Sequence, residues 1–387
     1  MIMPAERISA LKPTAVNAIL NEVRAFQTHE GRKLVSLMRG EPDFRTPEHI
    51  VEAAVKSVRD GRTGYPDNRG EISLRAAVAS KLAHENGLPY DPGTEILITD
   101  GATLGIHAAL MALLNPGDEV LLPDPVYDAY QSPIRLAGGR VVPVRSRIEG
   151  GRFYLDIEAL EEAWTPAAKV LLLNTPWNPV GTVFTHDEVR RLEEFVERRN
   201  LILISDEIYE RITYDGHQHV SPRLPGRCIL VNSFSKTYAM TGWRLGYCAG
   251  PKEIIQAMFM VLAQSSRGPA TFIQDAGAAA LSGPQTCVEE MRAIYAKRRA
   301  LVLEGLSGIP RVKALPPEGG FFSMVDIRET GIESNEVRLK LLHEAGVVVI
   351  HGSAYGPGGE GTLRVSFASG LQLGDGLARL REGLSSL

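Results

Sequence analysis

Five short apolar runs, separated by stretches of helical spacing, decide what the middle of this chain can fold into. They fall at 95–99, 119–122, 169–173, 201–205 and 228–232. Most are continuous rather than alternating in polarity, the pattern of strands buried on both faces of a parallel sheet. The segments between them carry helix signals. Residues 104–114 stop before Asn115-Pro116-Gly117, and residues 187–199 follow Thr185, whose hydroxyl suits an N-cap. Such alternation predicts an α/β domain with ligand sites beyond the carboxyl ends of the strands.

At 387 residues the chain is too long for one ordinary core. Its last part changes character: a charged helix at 289–306, a strand-like segment at 320–327, a helix at 334–345, and strands at 347–350 and 362–367. We expect a large domain over 46–288, with a mainly parallel sheet flanked by helices. A smaller α+β domain would combine 1–45 with 289–387. A net charge of -4 gives no reason to expect nucleic acid or an anionic membrane as partner. The longest apolar runs are strand-sized, too short to span a bilayer. The first seven residues, with Pro4, Glu6 and Arg7, lack the apolar stretch of a secretory signal. Cys228, Cys248 and Cys287 show no CxxC spacing, which fits buried thiols in a reducing compartment. A cytoplasmic protein is the expectation.

The densest chemistry lies in Ser233-Phe-Ser235-Lys236-Thr-Tyr-Ala-Met-Thr-Gly242-Trp-Arg244. A lysine beside two hydroxyls and an arginine suits an imine-forming amine next to a phosphate. Hydroxyls and guanidinium hold the dianion, and neighbouring positive charge lowers the amine pKa. By itself the motif fits a solvated loop lysine equally well. It is also a Ser-x-x-Lys pair, but the Ser-Asp-Asn and Lys-Thr-Gly partners of that hydrolase class do not occur.

Asp206, in Ser205-Asp206-Glu207-Ile208-Tyr209, follows an apolar run at a position where α/β enzymes place ligands. It suits the partner of a pyridinium nitrogen, with Tyr209 as donor to a ring oxygen; alone, a helix cap is the simpler reading. In Asn174-Thr-Pro176-Trp177-Asn178-Pro179-Val180-Gly181 two prolines stiffen a loop that would fix the Asn178 amide. A plain turn is the bland alternative. Asp100-Gly101-Ala102-Thr103 leaves backbone N–H groups free for an anion at a helix start, a weak signal because such turns are common. Gly356-Pro-Gly358-Gly-Glu-Gly361 matches G-x-G-x-x-G, yet a strand follows it, so a dinucleotide loop is rejected. His217-Gln-His219 has no ligand cluster nearby in sequence, and no metal is expected.

Together these segments resemble the class I/II, fold-type I pyridoxal-phosphate aminotransferases through nearly the whole chain. The matching segments, in order, are Gly40-Glu41-Pro42-Asp43-Phe44, Tyr65, Gly101-Ala102-Thr103, Asp124-Pro125-Val126-Tyr127, Asn178-Pro-Val-Gly181, Asp206 with Tyr209, Ser233-x-Ser235-Lys236, Arg244 and Arg364-Val-Ser-Phe. The resemblance implies pyridoxal 5'-phosphate as cofactor, held by Lys236 as a Schiff base. Lys236 would also shuttle the substrate proton. Asp206 would pair with the ring nitrogen, Asn178 and Tyr209 with the ring oxygen, and Tyr127 would stack on the ring. Gly101, Ala102, Thr103, Ser233, Ser235 and Arg244 would hold the phosphate, with Tyr65 reaching it from the partner of a homodimer. Arg364, helped by Gly40 and Asn178, would clamp the substrate carboxylate.

The implied reaction moves an amino group from an L-amino acid to a 2-oxo acid, with 2-oxoglutarate the expected acceptor, by a ping-pong route through pyridoxamine phosphate. A carbon–sulfur lyase shares these residues and is the alternative. An aminotransferase-shaped regulator would need an added DNA-binding domain, for which residues 1–40 leave no room. Val180 replaces the usual Thr of Asn-Pro-Thr-Gly. His351 is expected near substrate, Phe26, Phe321 and Phe322 would add apolar surface to the pocket, and Arg267 reads as a surface arginine or, less favoured, a reader of a distal carboxylate.

Overall fold

The computed structural model describes residues 5–9, 11, 13–30 and 33–387. Met1–Pro4, weighed above as part of a secretory signal, lie outside them. The main sheet has eight strands: β1 (Ile96–Thr99), β2 (Glu119–Asp124), β3 (Arg140–Glu149), β4 (Arg152–Leu155), β5 (Ala168–Asn174), β6 (Ile202–Asp206), β7 (Cys228–Ser233) and β8 (Gly246–Ala249). Their spatial order is β1-β8-β7-β6-β5-β2-β3-β4. The centre, β3-β2-β5-β6-β7, is parallel throughout. All five apolar runs seen in the sequence are strands of this sheet.

Successive residues of these strands feed opposite cores. Val120, Leu122, Val170, Leu172 and Ile204 pack with helices Ala102–Leu113 and Lys252–Ser265. Leu121, Leu171, Leu173 and Leu203 face the other way, onto Val189, Leu192 and Phe195 of helix His186–Arg198. Burying both faces is why the runs read as unbroken hydrophobic stretches; each fully buried Val or Leu contributes about 1.5–3 kcal/mol. Thr185 caps helix His186–Arg198 as expected, accepting from the Glu188 amide in a reciprocal capping box.

Two additions to the expected sheet are antiparallel. β8 returns between β1 and β7, antiparallel to both, because the short segment 234–245 leaves no crossover helix to reverse the chain again. β3 and β4 form a hairpin whose turn, Gly150-Gly151, has φ of 59° and 85°, a left-handed pair that closes such hairpins.

The C-terminal unit is α+β. Strands Phe322–Asp326 and Thr362–Ser366 pair antiparallel, flanked by Lys313–Ala314 and Ile350–His351. Helices Thr286–Gly305 and Leu373–Ser385 cover it. Val35–Ser36 pairs in parallel with Val347–Val348, which ties the N-terminal part of the chain to this unit. No helix among the described residues is long and apolar enough to cross a membrane.

Candidate active site

The last residues of three neighbouring central strands, Asn174, Asp206 and Ser233, meet at the carboxyl edge of the sheet. They border a cavity of about 360 Å³. The C-terminal unit closes one side with Phe322 and Arg364, and the N-terminal part closes another with Gly40 and residues 14, 16 and 17.

Lys236 lies just past β7, in the turn Phe234–Thr237, where the Ser233 hydroxyl accepts from the Ser235 amide. Its Nζ donates to the Gly40 carbonyl at 2.8 Å. Burial, with Arg244 and Arg364 adding positive potential against the pull of Glu41, brings the amine down to about 8. An amine so poised is partly neutral near neutral pH, as a nucleophile or proton carrier requires.

Asp206 is 2% exposed. Its carboxylate accepts from the Tyr130 hydroxyl at 2.6 Å and from the Ile208 amide at 3.3 Å. Burial outweighs both donors and pushes the carboxyl up to about 6. A carboxylate kept this dry is strongly stabilised by any cationic N–H brought to it. Asn174 fixes the local backbone, donating to the Asp206 carbonyl at 2.9 Å and accepting from the Asn178 amide at 2.7 Å. Tyr209 and Tyr127 both line the cavity; Tyr209 packs edge-on against Phe321 and Phe322, and Tyr127 against Tyr130.

Arg364 sits mid-strand, 2% exposed. Its fork donates to the Met38 carbonyl at 2.6 Å and to Asn178 Oδ1 at 3.3 Å. The guanidinium lies 4.0 Å over the Phe322 ring centre and 5.0 Å from that of Tyr355. Among the described residues no carboxylate pairs with it, and its buried Nε has no hydrogen-bond partner. A buried, unpaired, rigidly held guanidinium is a ready receptor for a substrate carboxylate.

Opposite it lies a cradle for a second anion. Gly101 begins helix Ala102–Leu113 at φ 83°, and a Cβ there would stand 2.5 Å from Arg244 Nη2. The helix has no side-chain cap, so its first amides remain free to bind an anion. Ser233 and Ser235, both buried, complete the lining with Ala102, Thr103 and Arg244. Phosphate cradle, buried carboxylate, lysine and carboxylate receptor in one cavity fit pyridoxal phosphate carrying an amino-acid substrate.

Twelve of the fourteen residues singled out from sequence line this cavity; Gly101 adjoins it through Ala102. Tyr65 does not: it is 86% exposed, under the Arg267 guanidinium at 5.3 Å. Arg267 is likewise exposed and does not line the cavity. His351 lies outside the cavity, bonded to Ser353 at 2.9 Å, and burial brings it down to about 4. Phe26 packs on His343 instead of lining the pocket. Phe322 does line it, while Phe321 sits behind with Lys236 5.7 Å above its ring. Sequence reasoning missed Tyr130, Asn174 and Asp128. Tyr130 carried a weak signal, three residues beyond Tyr127 on a turn that exposes one face.

Two motifs set aside have other work. Gly358 donates to Asp124 Oδ1 at 3.0 Å, so the glycine-rich segment 356–361 braces the end of β2. His219 bonds Glu207 at 2.8 Å in a buried cluster with Glu210. Lys81, Asn86 and Asn232 already occupy Glu210, so a metal ion there would displace an ammonium.

Fold and site define a pyridoxal-phosphate-dependent enzyme of fold type I. The sequence profile of the family described as aminotransferase class I and II matches residues 32–373. An aspartate aminotransferase of Geobacillus stearothermophilus is 36% identical over 377 residues, 95% of each chain. An arginine–pyruvate transaminase of Pseudomonas aeruginosa is 38% identical over 350 residues, covering 89% of this chain and 88% of its own. The crystal structure of aspartate aminotransferase from Thermus thermophilus with maleate superposes with a TM-score of 0.93 at 37% identity, covering 99% of this chain and all of that one. The chain belongs to the class I and II aminotransferases and is a transaminase.

Proposed function

We propose that this transaminase transfers the amino group of an L-amino acid to a 2-oxo acid, with 2-oxoglutarate as acceptor, in two half-reactions that share one cavity. The observation that carries the reading is the position of Lys236, an amine brought to about 8 between a phosphate cradle and the unpaired Arg364. When bound, the cofactor supplies a carbonyl carbon that takes up the amino group and a ring that withdraws electrons from the substrate's α-carbon.

The protein supplies position and charge. Arg364, steadied by Met38 and Asn178, holds the α-carboxylate of either substrate. Asp206, oriented by Tyr130, would hold a proton on the ring nitrogen. Tyr209 and Asn178 would hold the cofactor's ring oxygen, Tyr127 would pack on the ring, and the amides of Ala102 and Thr103 with Ser233, Ser235 and Arg244 would hold the phosphate. Lys236 Nζ would hold the cofactor through its carbonyl carbon and, once released, would take and carry the proton lost from the substrate's α-carbon. Gly40 backs the lysine through its carbonyl.

The exposure of Tyr65 supports a homodimer in which this ring enters the partner's site. The same reading divides the chain into 46–288 and 1–45 with 289–387, supported by a sheet core and a separate core under Phe322–Asp326. It also places the enzyme in the cytoplasm, in keeping with three free cysteines.

The test is a titration of holoenzyme with single L-amino acids in the absence of a 2-oxo acid, followed by cofactor absorbance. Conversion that 2-oxoglutarate reverses is expected. Pyruvate and ammonia accumulating with the spectrum unchanged would make the protein a lyase instead.

A further inference from the structure

Lys236 and Arg364 lean on the same stretch of backbone, residues 37–40. Its four carbonyls are taken in turn. Leu37 accepts from the Ser366 amide at 2.7 Å and Met38 from Arg364 at 2.6 Å. Arg39 accepts from the Ser366 hydroxyl at 2.6 Å and Gly40 from Lys236 at 2.8 Å. This strap therefore runs from strand Thr362–Ser366 of the C-terminal unit to the lysine beyond β7. It fits closely, since a Cβ at Gly40 would stand 2.5 Å from the Phe322 ring. A carbonyl steadies a cation only where the carbonyl itself is held.

Beyond Gly40 the strap has three anchors. Glu41 accepts from the Thr241 hydroxyl at 3.1 Å, but its side chain is 52% exposed, and a bond so open to water holds little. Thr46, six residues past Gly40, donates to the Ala239 carbonyl at 3.0 Å. Asp43 lies nearer than Thr46 and deeper than Glu41. Its carboxylate takes both arms of the Arg298 fork, at 2.8 and 3.0 Å, and the Gly370 amide at 2.8 Å. Arg298, on helix Thr286–Gly305, also donates to the Ala368 carbonyl at 2.6 Å. Its guanidinium lies 5.1 Å from the ring centre of Phe44 and 5.8 Å from that of Tyr295. Burial works against the Asp43 charge, yet Arg298 and the Gly370 amide hold its carboxyl below the ordinary carboxylate range. Between Gly40 and Asp43 stand Glu41 and Pro42 alone. Proline fixes its own φ and keeps its predecessor extended, so a shift at Asp43 passes to the Gly40 carbonyl.

We propose that the Asp43–Arg298 pair is a positioning device that sets the strap, so that the Gly40 and Met38 carbonyls hold Lys236 and Arg364 in register for one substrate. The inference rests on the transaminase reading above and gives a part in it to two residues that do not line the cavity. Breaking the pair frees the strap at its nearest buried anchor. Lys236 then loses the carbonyl that places its free amine, and Arg364 keeps Asn178 but not Met38. Proton transfer and α-carboxylate binding both suffer. The phosphate cradle makes no direct hydrogen bond to the strap among the described residues, so cofactor binding is spared.

Arg299 supplies the control. One residue along the same helix, it also engages an aspartate (Asp215, 2.6 Å), a carbonyl (Pro317, 2.7 Å) and a ring (Tyr214, 5.3 Å), away from the strap. Single-turnover conversion of holoenzyme by L-glutamate separates half-saturation from limiting rate. Calorimetry reads the binding of succinate, which occupies the carboxylate receptor without reacting. Arg298→Ala and Asp43→Asn should each weaken succinate and raise half-saturation about tenfold, and lower the limiting rate about tenfold. Cofactor affinity should stay within about threefold of wild type. The double variant should be no worse than the worse single, because the two side chains act as one unit. Asp43→Asn keeps its shape and an acceptor for Gly370, and carries the test if Arg298→Ala does not fold. Succinate binding and kinetics within about threefold of wild type, or losses no larger than those of Arg299→Ala, would overturn the role of the pair and leave transamination standing. No conversion by any amino acid would overturn transamination, and succinate binding would still judge the pair.

Discussion

Replacing Asp206 by Asn should make the cofactor-free protein more stable and the enzyme nearly inactive. The carboxyl is carried from 3.8 to about 6 on folding, chiefly by burial. A group whose folded pKa is raised binds its proton more tightly in the folded state, so stability is greatest below the unfolded value and is lost as pH rises through the folded one. The penalty therefore grows across pH 4–6 and reaches about 3 kcal/mol by pH 8, with about half of that present at pH 5. An asparagine of the same shape avoids it. Tyr130, now a donor at 2.6 Å, can turn its hydroxyl to accept from the new amide N–H. Calorimetry of apoprotein at pH 8 and pH 5 should show the variant melting higher, with the larger gap at pH 8. Turnover should fall by at least about a hundredfold, because the amide cannot hold a proton on the ring nitrogen. A variant equal to or less stable than wild type at both pH values would refute the argument that Asp206 is stored at a cost for the sake of the cofactor.

Further outcomes follow from the same geometry. Tyr130→Phe removes a donor that lowers the Asp206 pKa, so the acid limb of cofactor affinity should move up by about one pH unit; an unmoved limb would detach Tyr130 from this role. Arg364→Lys keeps charge but cannot serve Met38, Asn178 and a carboxylate from one planar fork. Steady-state kinetics should show kcat/KM for amino acids down roughly thirtyfold, a loss of about 2 kcal/mol. Mixing Lys236→Ala with Tyr65→Ala subunits should restore activity that neither homodimer has, since one hybrid site then holds an intact lysine and the partner's intact tyrosine. Recovery no greater than that of the Tyr65→Ala homodimer would place Tyr65 in its own subunit's site.

The residues that sequence singled out and the structure gathers at the cavity are mostly those tied to a strand end. Asp206 and the Ser233–Lys236 segment each follow an unbroken apolar run, and a parallel sheet delivers the ends of such runs to one edge. The glycine-start cradle and Arg364 were legible for a related reason: a helix start and a mid-strand arginine leave marks within a few residues. His351 and Phe26 were misplaced because nothing local says which way a loop or an amphipathic helix turns. His351 faces Ser353, and Phe26 faces His343. β8 escaped notice because four residues rich in small side chains form a strand only where β1 and β7 leave a gap.

By itself the sequence determined the alternation of strands and helices, and the lysine, carboxylate and arginine that meet in the cavity at the sheet's carboxyl edge, since each depends on short-range periodicity or on an ordered set of local motifs. Only the tertiary structure decided how those groups are tuned. Tyr130 meets Asp206 across 76 positions, Arg364 reaches Asn178 across 186, and Ala15 is tied to Asp128 across 113. Contacts of that span carry no sequence period. They arise when separate elements bury their apolar faces together and leave a few polar atoms to be satisfied, or left open, at the seam.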